Sequence, residues 1–154
     1  MRVFVIAGEA SGDKLGAALM AGLSGLTDVK FDGVGGPLMA EQGLVSRFPM
    51  DELSVMGLAE ILPKYHALKA RVHQMAQVVL GSKPDVLITI DSPDFCLRVA
   101  TLVKAGSDIR CVHYVAPTVW AWRPKRAAKM ARHIDQVLAL FPFEPPLMQA
   151  AGMR

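Results

Sequence analysis

Two hydrophobic patterns alternate along the chain: short unbroken apolar runs, and longer stretches in which apolar residues recur every three or four positions. The central run at 85–90 lacks polar alternation, which predicts a parallel strand covered on both faces, and further strands are expected at 3–7, 30–34, 111–115 and 136–141. A further extended piece is expected at 44–48, ending at Pro49. Between them, helical spacing is strongest from Met56 to Val79, where apolar residues fall at Leu58, Ile61, Leu62, Tyr65, Leu68, Val72, Met75 and Ala76. Pro63 lacks an N–H, so this stripe must break or kink there, giving a short helix to about Leu62 and a longer one to about Leu80. Strands alternating with helices predict one doubly wound parallel sheet of the α/β class.

Turn chemistry sharpens the boundaries. The segment Gly8-Glu9-Ala10-Ser11-Gly12-Asp13 reads as a tight loop opening a helix, with Asp13 or Ser11 as its cap and Leu15, Leu19 and Leu23 as its apolar stripe. Small residues at Gly16, Ala17 and Ala18 would let that helix lie close on the sheet. Pro37 and Pro124 suit first helical positions, the latter opening a basic helix with Arg126, Lys129 and Arg132. Phe95, Val99, Leu102 and Val103 form one face of a helix ending near Gly106, with Asp94 as its expected cap.

With 154 residues there is room for a single domain with a full core. A net charge of +3 is far from a nucleic-acid signature, so no nucleic-acid partner is expected. No apolar run approaches the ~20 residues of a membrane span, although the hydrophobic fraction of 52% leaves apolar surface for a membrane or partner to cover. Cys96 and Cys111, without a paired spacing, point to a reduced compartment and away from metal binding. The sequence stops shortly after a last strand and the start of a helix, as a chain cut from something longer would.

The candidate chemistry lies where the central run 85–90 stops at Asp91-Ser92-Pro93-Asp94. In open α/β sheets ligands sit beyond the carboxyl ends of strands, and a carboxylate there can act as a general base. Asp91 is the candidate, since Asp94 takes the capping duty. The loop from Gly8 to Gly16 is shaped for a polar ligand, but it fails both the Walker and the GxGxxG patterns, and its glycines would also serve a plain tight turn. His113 lies in a strand, where an interior histidine is commoner than a catalyst. Trp120 and Trp122 beside Arg123 suit a headgroup boundary or a sugar phosphate, or equally a loop pinned by packed indoles. The stretch from Met56 to Tyr65 has the composition of an interfacial amphipathic helix.

Six blocks in register carry a resemblance. Ala7-Gly8-Glu9-Ala10-Ser11-Gly12-Asp13, Gly33-Val34-Gly35-Gly36-Pro37, Leu53-Ser54-Val55-Met56-Gly57, Thr89-Ile90-Asp91-Ser92-Pro93-Asp94-Phe95, the stretch from His113 to Arg123, and Pro142-Phe143-Glu144 together resemble the lipid-A-disaccharide synthase family. The resemblance implies the N-terminal, Rossmann-like half of a GT-B glycosyltransferase, with the UDP-sugar-binding half absent after Arg154. It implies an inverting transfer of diacylglucosamine from UDP to the 6-hydroxyl of diacylglucosamine 1-phosphate (lipid X), with no metal or other cofactor. It further implies a peripheral place on the cytoplasmic face of the bacterial inner membrane, and pairing as a homodimer. On matching positions, Asp91 is the base and Glu9 the second essential acid. Gly8, Ser11, Gly12, Asp94, His113 and Trp120 would bind substrate, and Met56, Leu58, Ile61, Leu62 and Tyr65 would meet the bilayer. Two other readings remain: a non-catalytic lipid-surface module, indifferent to Asp91→Asn, and a nucleotide-dependent redox or isomerase domain, disfavoured by the missing GxGxxG.

Overall fold

The computed structural model describes residues 1–54, 63–116 and 124–154. Five strands form one parallel sheet: β1 (Arg2–Ala7), β2 (Lys30–Val34), β3 (Val86–Ile90), β4 (Arg110–Tyr114) and β5 (Gln136–Leu138), in the order β2-β1-β3-β4-β5. The helices are α1 (Ala10–Leu26), α2 (Pro37–Glu41), α3 (Asp51–Ser54), α4 (Pro63–Ser82), α5 (Pro93–Gly106), α6 (Pro124–Met130) and α7 (Glu144–Ala150). Right-handed crossovers place α1 on one face and α4 and α5 on the other. The packing agrees, with α1 against α2 and α4 against α5. Val3, Phe4, Val5, Ile6, Leu87 and Ile90 are buried in the layer between, as the unbroken apolar runs require.

Several boundaries differ from expectation for identifiable reasons. The last strand ends at Leu138, because the backbone turns there and the Glu144 carboxylate accepts the N–H groups of Leu140 and Phe141. Residues 44–48 form no strand of the sheet. They run beside β2 and share one backbone bond, Arg47 N–H to the Gly33 carbonyl at 3.0 Å, while the Arg47 guanidinium pairs with Asp32. Pro63 opens α4 at the expected break, which suits a residue without an N–H to donate, whereas the short helix expected to end near Leu62 lies outside the described residues. On α1 the buried positions are Gly12, Asp13, Gly16 and Met20, and Leu15, Leu19 and Leu23 lie at the flank of that stripe.

The floor of the sheet, at the amino ends of the strands, is tied by Asp135. Its carboxylate accepts the Cys111 N–H at 2.7 Å and pairs with Lys104 at 2.8 Å. Burial alone would push this carboxyl up, but the bonds from Lys104 and the Cys111 N–H outweigh it and hold the group below its ordinary value. A depressed carboxyl stabilises the fold above its unfolded value, about 3.9, and loses that contribution as pH falls. The stability gap between the wild type and Asp135→Asn, measured by urea unfolding, is therefore expected to shrink from about pH 5 to pH 2. Arg154 lies along β5, donating to the Asp135 carbonyl at 3.2 Å and accepting from Val137 N–H at 2.8 Å.

Candidate active site

Strand order alone marks a place. The chain steps from β1 to β2 in one direction and from β3 to β4 and β5 in the other, so the loops after β1 and β3 part at a topological switch point. Glu9 follows β1 and Asp91 follows β3, each at the carboxyl edge. Two acidic residues distant in sequence thus flank the crevice where a doubly wound sheet takes its ligand.

The turn after β3 is unusual. Asp91 and Ser92 both have left-handed backbones, with φ of 52° and 42°, and Val115 after β4 has φ of 76°. Non-glycine residues seldom adopt this conformation, and such strain gathers at functional sites. The Asp91 N–H donates to the Tyr114 carbonyl at 3.1 Å, so the turn stays joined to β4. One carboxylate oxygen, Oδ1, accepts the Ser92 N–H at 2.9 Å, and the other, Oδ2, accepts the Ser11 hydroxyl at 3.3 Å. Gly8 is buried against the same turn. A Cβ there would stand 2.3 Å from Ser92 Oγ and 2.9 Å from Ser92 Cβ, so only glycine lets the two loops meet.

The sequence-level caps are corrected by these contacts. The N-cap of α1 is Glu9, with no side-chain cap; its carbonyl accepts the Asp13 N–H at 2.9 Å and its side chain is exposed. The Asp13 carboxylate turns away from α1 and accepts the N–H groups of Gly36 (2.9 Å), Leu38 (3.0 Å) and Met39 (3.0 Å) at the start of α2. It is 2% exposed, and a Cβ at Gly36 would lie 2.5 Å from it. The glycine-rich turns after β1 and β2 are therefore one unit. A clue was present in the sequence: α2 starts at Gly36-Pro37 with no side-chain cap of its own, and so needs an acceptor from elsewhere. Similarly, the N-cap position of α5 is Ser92, which makes no side-chain cap bond, and Asp94 sits exposed in the first turn.

Of the sequence-predicted site residues, Gly8, Ser11 and Asp91 are brought together, with Ser92 added. Gly12 is buried under the β1 loop, its Cβ position 3.4 Å from the Ile90 carbonyl. His113 is fully buried in β4, its Nδ1 2.8 Å from the Thr89 hydroxyl across the β3–β4 register. Trp120, Met56, Leu58, Ile61 and Leu62 lie outside the described residues, and Tyr65 falls in α4. Cys96, buried behind Asp91, has its thiol pushed well up by burial and then by the Asp91 charge, and stays protonated. Cys111 is pushed up to about 11, chiefly by burial.

The family model described as lipid-A-disaccharide synthetase matches residues 3–154. The chain belongs to this family. It is 70% identical over 154 residues to the lipid-A-disaccharide synthase of Ruegeria pomeroyi, covering 99% of the chain and 38% of that protein. The Rhodospirillum centenum protein of the same name is 54% identical, with 98% and 38% covered. The chain thus spans about two-fifths of the length of these curated relatives. Among solved structures, UDP-GlcNAc 2-epimerase from Neisseria meningitidis superposes with a TM-score of 0.68 at 8% identity, covering 100% of this chain and 44% of that one. MurG from Acinetobacter baumannii gives a TM-score of 0.59 at 13% identity, covering 92% and 41%. Such likenesses bear on the fold alone, and they agree with the Rossmann-like α/β sheet expected of the N-terminal half of a GT-B enzyme. No helix among the described residues is long and apolar enough to cross a membrane.

Proposed function

We propose that this chain is the acceptor-side half of an inverting glycosyltransferase of lipid A biosynthesis, moving diacylglucosamine from UDP to the 6-hydroxyl of diacylglucosamine 1-phosphate. The observation that carries the reading is the switch-point crevice, flanked by Glu9 and Asp91, in a chain 70% identical to a lipid-A-disaccharide synthase. Asp91 takes the proton of the 6-hydroxyl as that oxygen bonds to the anomeric carbon, and the carbon–oxygen bond to UDP breaks with its electrons leaving on UDP. Glu9 orients the acceptor or offsets the positive charge growing on the donor sugar. Gly8 and Gly12 keep the β1 loop low, and Asp94 and Trp120 are further substrate contacts. His113 supports β3 from inside the sheet.

Catalysis in this reading needs the UDP-sugar-binding half that the longer relatives have room for. Exposed apolar side chains at the end of β5 support it: Phe141 and Phe143 stack with centroids 5.5 Å apart, and Leu140 and Leu147 stand beside them. Residues 56–65 rest on the inner leaflet, which keeps a diacylated substrate at the membrane surface on the cytoplasmic side. The enzyme works without a metal or other cofactor and pairs as a homodimer.

The test is a transferase assay on the full-length enzyme with both lipids, following disaccharide 1-phosphate and UDP together. Glu9→Gln is expected to slow turnover at least about tenfold, within the range of a positioned carboxyl group. Unchanged turnover in both Glu9→Gln and Asp91→Asn, with vesicle binding retained, would favour the lipid-surface module instead. Robust synthase activity from residues 1–154 alone would overturn the half-enzyme reading.

A further inference from the structure

We propose that Ser11 is a positioning residue for Asp91, and not a contact to substrate. The proposal rests on the function proposed above. Ser11 is the second residue of α1, a place where a serine commonly serves the helix start, yet α1 has no side-chain cap. Its hydroxyl instead donates across eighty positions of sequence to Asp91 Oδ2 at 3.3 Å. The opposite oxygen, Oδ1, is held by the Ser92 N–H at 2.9 Å. The carboxylate is thereby gripped from two sides, by its own turn and by the loop after β1.

The grip matters because of the backbone beneath it. Asp91 and Ser92 leave β3 through two left-handed residues, so the direction of the carboxylate is set by the turn and not by the pleat of the strand. The turn bond fixes Oδ1 only. Without a second anchor the group can rotate about its last torsion, a broad two-fold well, and its outer oxygen swings away from any bound hydroxyl. Each carboxylate oxygen has two acceptor sites, and one on each is used here, so a site on each remains for the proton being abstracted. Ser11 therefore orients the base without blocking it. Misplacing a reacting group by a fraction of its contact distance lowers turnover while leaving substrate affinity alone.

Gly8 supplies the geometry that makes the reach possible. Its missing Cβ allows the β1 loop to close on Ser92, which brings Ser11 within hydrogen-bond distance. Ser11 itself is exposed, so truncating it buries no unpaired group, and alanine is the better helix former. The variant is expected to fold with an unchanged urea midpoint.

The experiment measures kcat and KM for both lipids in the full-length enzyme with Ser11→Ala, Ser11→Thr, Asp91→Asn and the Ser11→Ala/Asp91→Asn pair. Ser11→Ala is expected to lower kcat about tenfold with both KM values within about twofold, Ser11→Thr to restore most of it, and the pair to be no slower than Asp91→Asn alone. A raised KM with kcat intact would make Ser11 a substrate contact and overturn the proposal. So would full turnover in Ser11→Ala beside a crippled Asp91→Asn, or a pair whose losses multiply. Full turnover in Asp91→Asn would remove the functional reading, and this proposal with it.

Discussion

Asp13→Ala is expected to lower folding stability by about 3 kcal/mol, the largest single loss we foresee away from the hydrophobic core. The carboxylate is 2% exposed and accepts three N–H groups that open α2. Removing it strands the Gly36 and Met39 donors, and each buried unmet donor costs about 1–3 kcal/mol. Leu38 is exposed, so its N–H can return to water and adds little. Alanine regains about half a kcal/mol of helix propensity within α1, too little to change the sign. For a domain of this size the loss corresponds to a melting temperature lower by about 6–12 °C. Asp13→Asn keeps one acceptor oxygen but turns an amide N–H toward a backbone N–H, and should lose about half as much. A melt of Asp13→Ala within 1–2 °C of the wild type would show that the joint between the two glycine-rich turns carries no stability.

Asp91→Asn, in contrast, is expected to leave the fold intact and remove turnover, by about 10²–10⁴-fold. Asparagine is the informative replacement because the backbone at 91 is left-handed, with φ of 52°. Asparagine and aspartate are the side-chain-bearing residues that adopt this region most readily, so the turn survives the change. Alanine would add backbone strain of about 1 kcal/mol and confuse lost chemistry with lost structure. The amide oxygen can still accept from Ser92 N–H or from Ser11, and only the basic charge is gone. Thermal melts should therefore agree within a few degrees while product formation falls. A variant that keeps turnover within threefold would remove Asp91 from the reaction.

The same contrast shows how much was legible along the chain. Strands β1, β3 and β4 could be bounded to within a residue or two, because a run covered on both faces has no polar positions to hide its ends. Pro37 and Pro124 marked helix starts for the reason that any proline does. Asp91 stood out because an apolar run stops at it, and Glu9 through its block of resemblance. The boundary errors fell where local signals compete: at 44–48, where one bond to β2 stands in for a ladder, and after Leu138, where the Glu144 carboxylate draws the chain into a turn.

Hydrophobic pattern and turn chemistry by themselves determined that the chain is a doubly wound α/β sheet with an acid at the end of its central strand, since both follow from neighbours a few positions apart. The strand order with its switch between β1 and β3, the seating of Asp13 under α2, the pairing of His113 with Thr89 and the reach of Ser11 to Asp91 were decided only by the tertiary structure. Each depends on which of several chemically suitable partners, two dozen or more positions away, the register and packing bring within about 3 Å, and no local pattern encodes that choice.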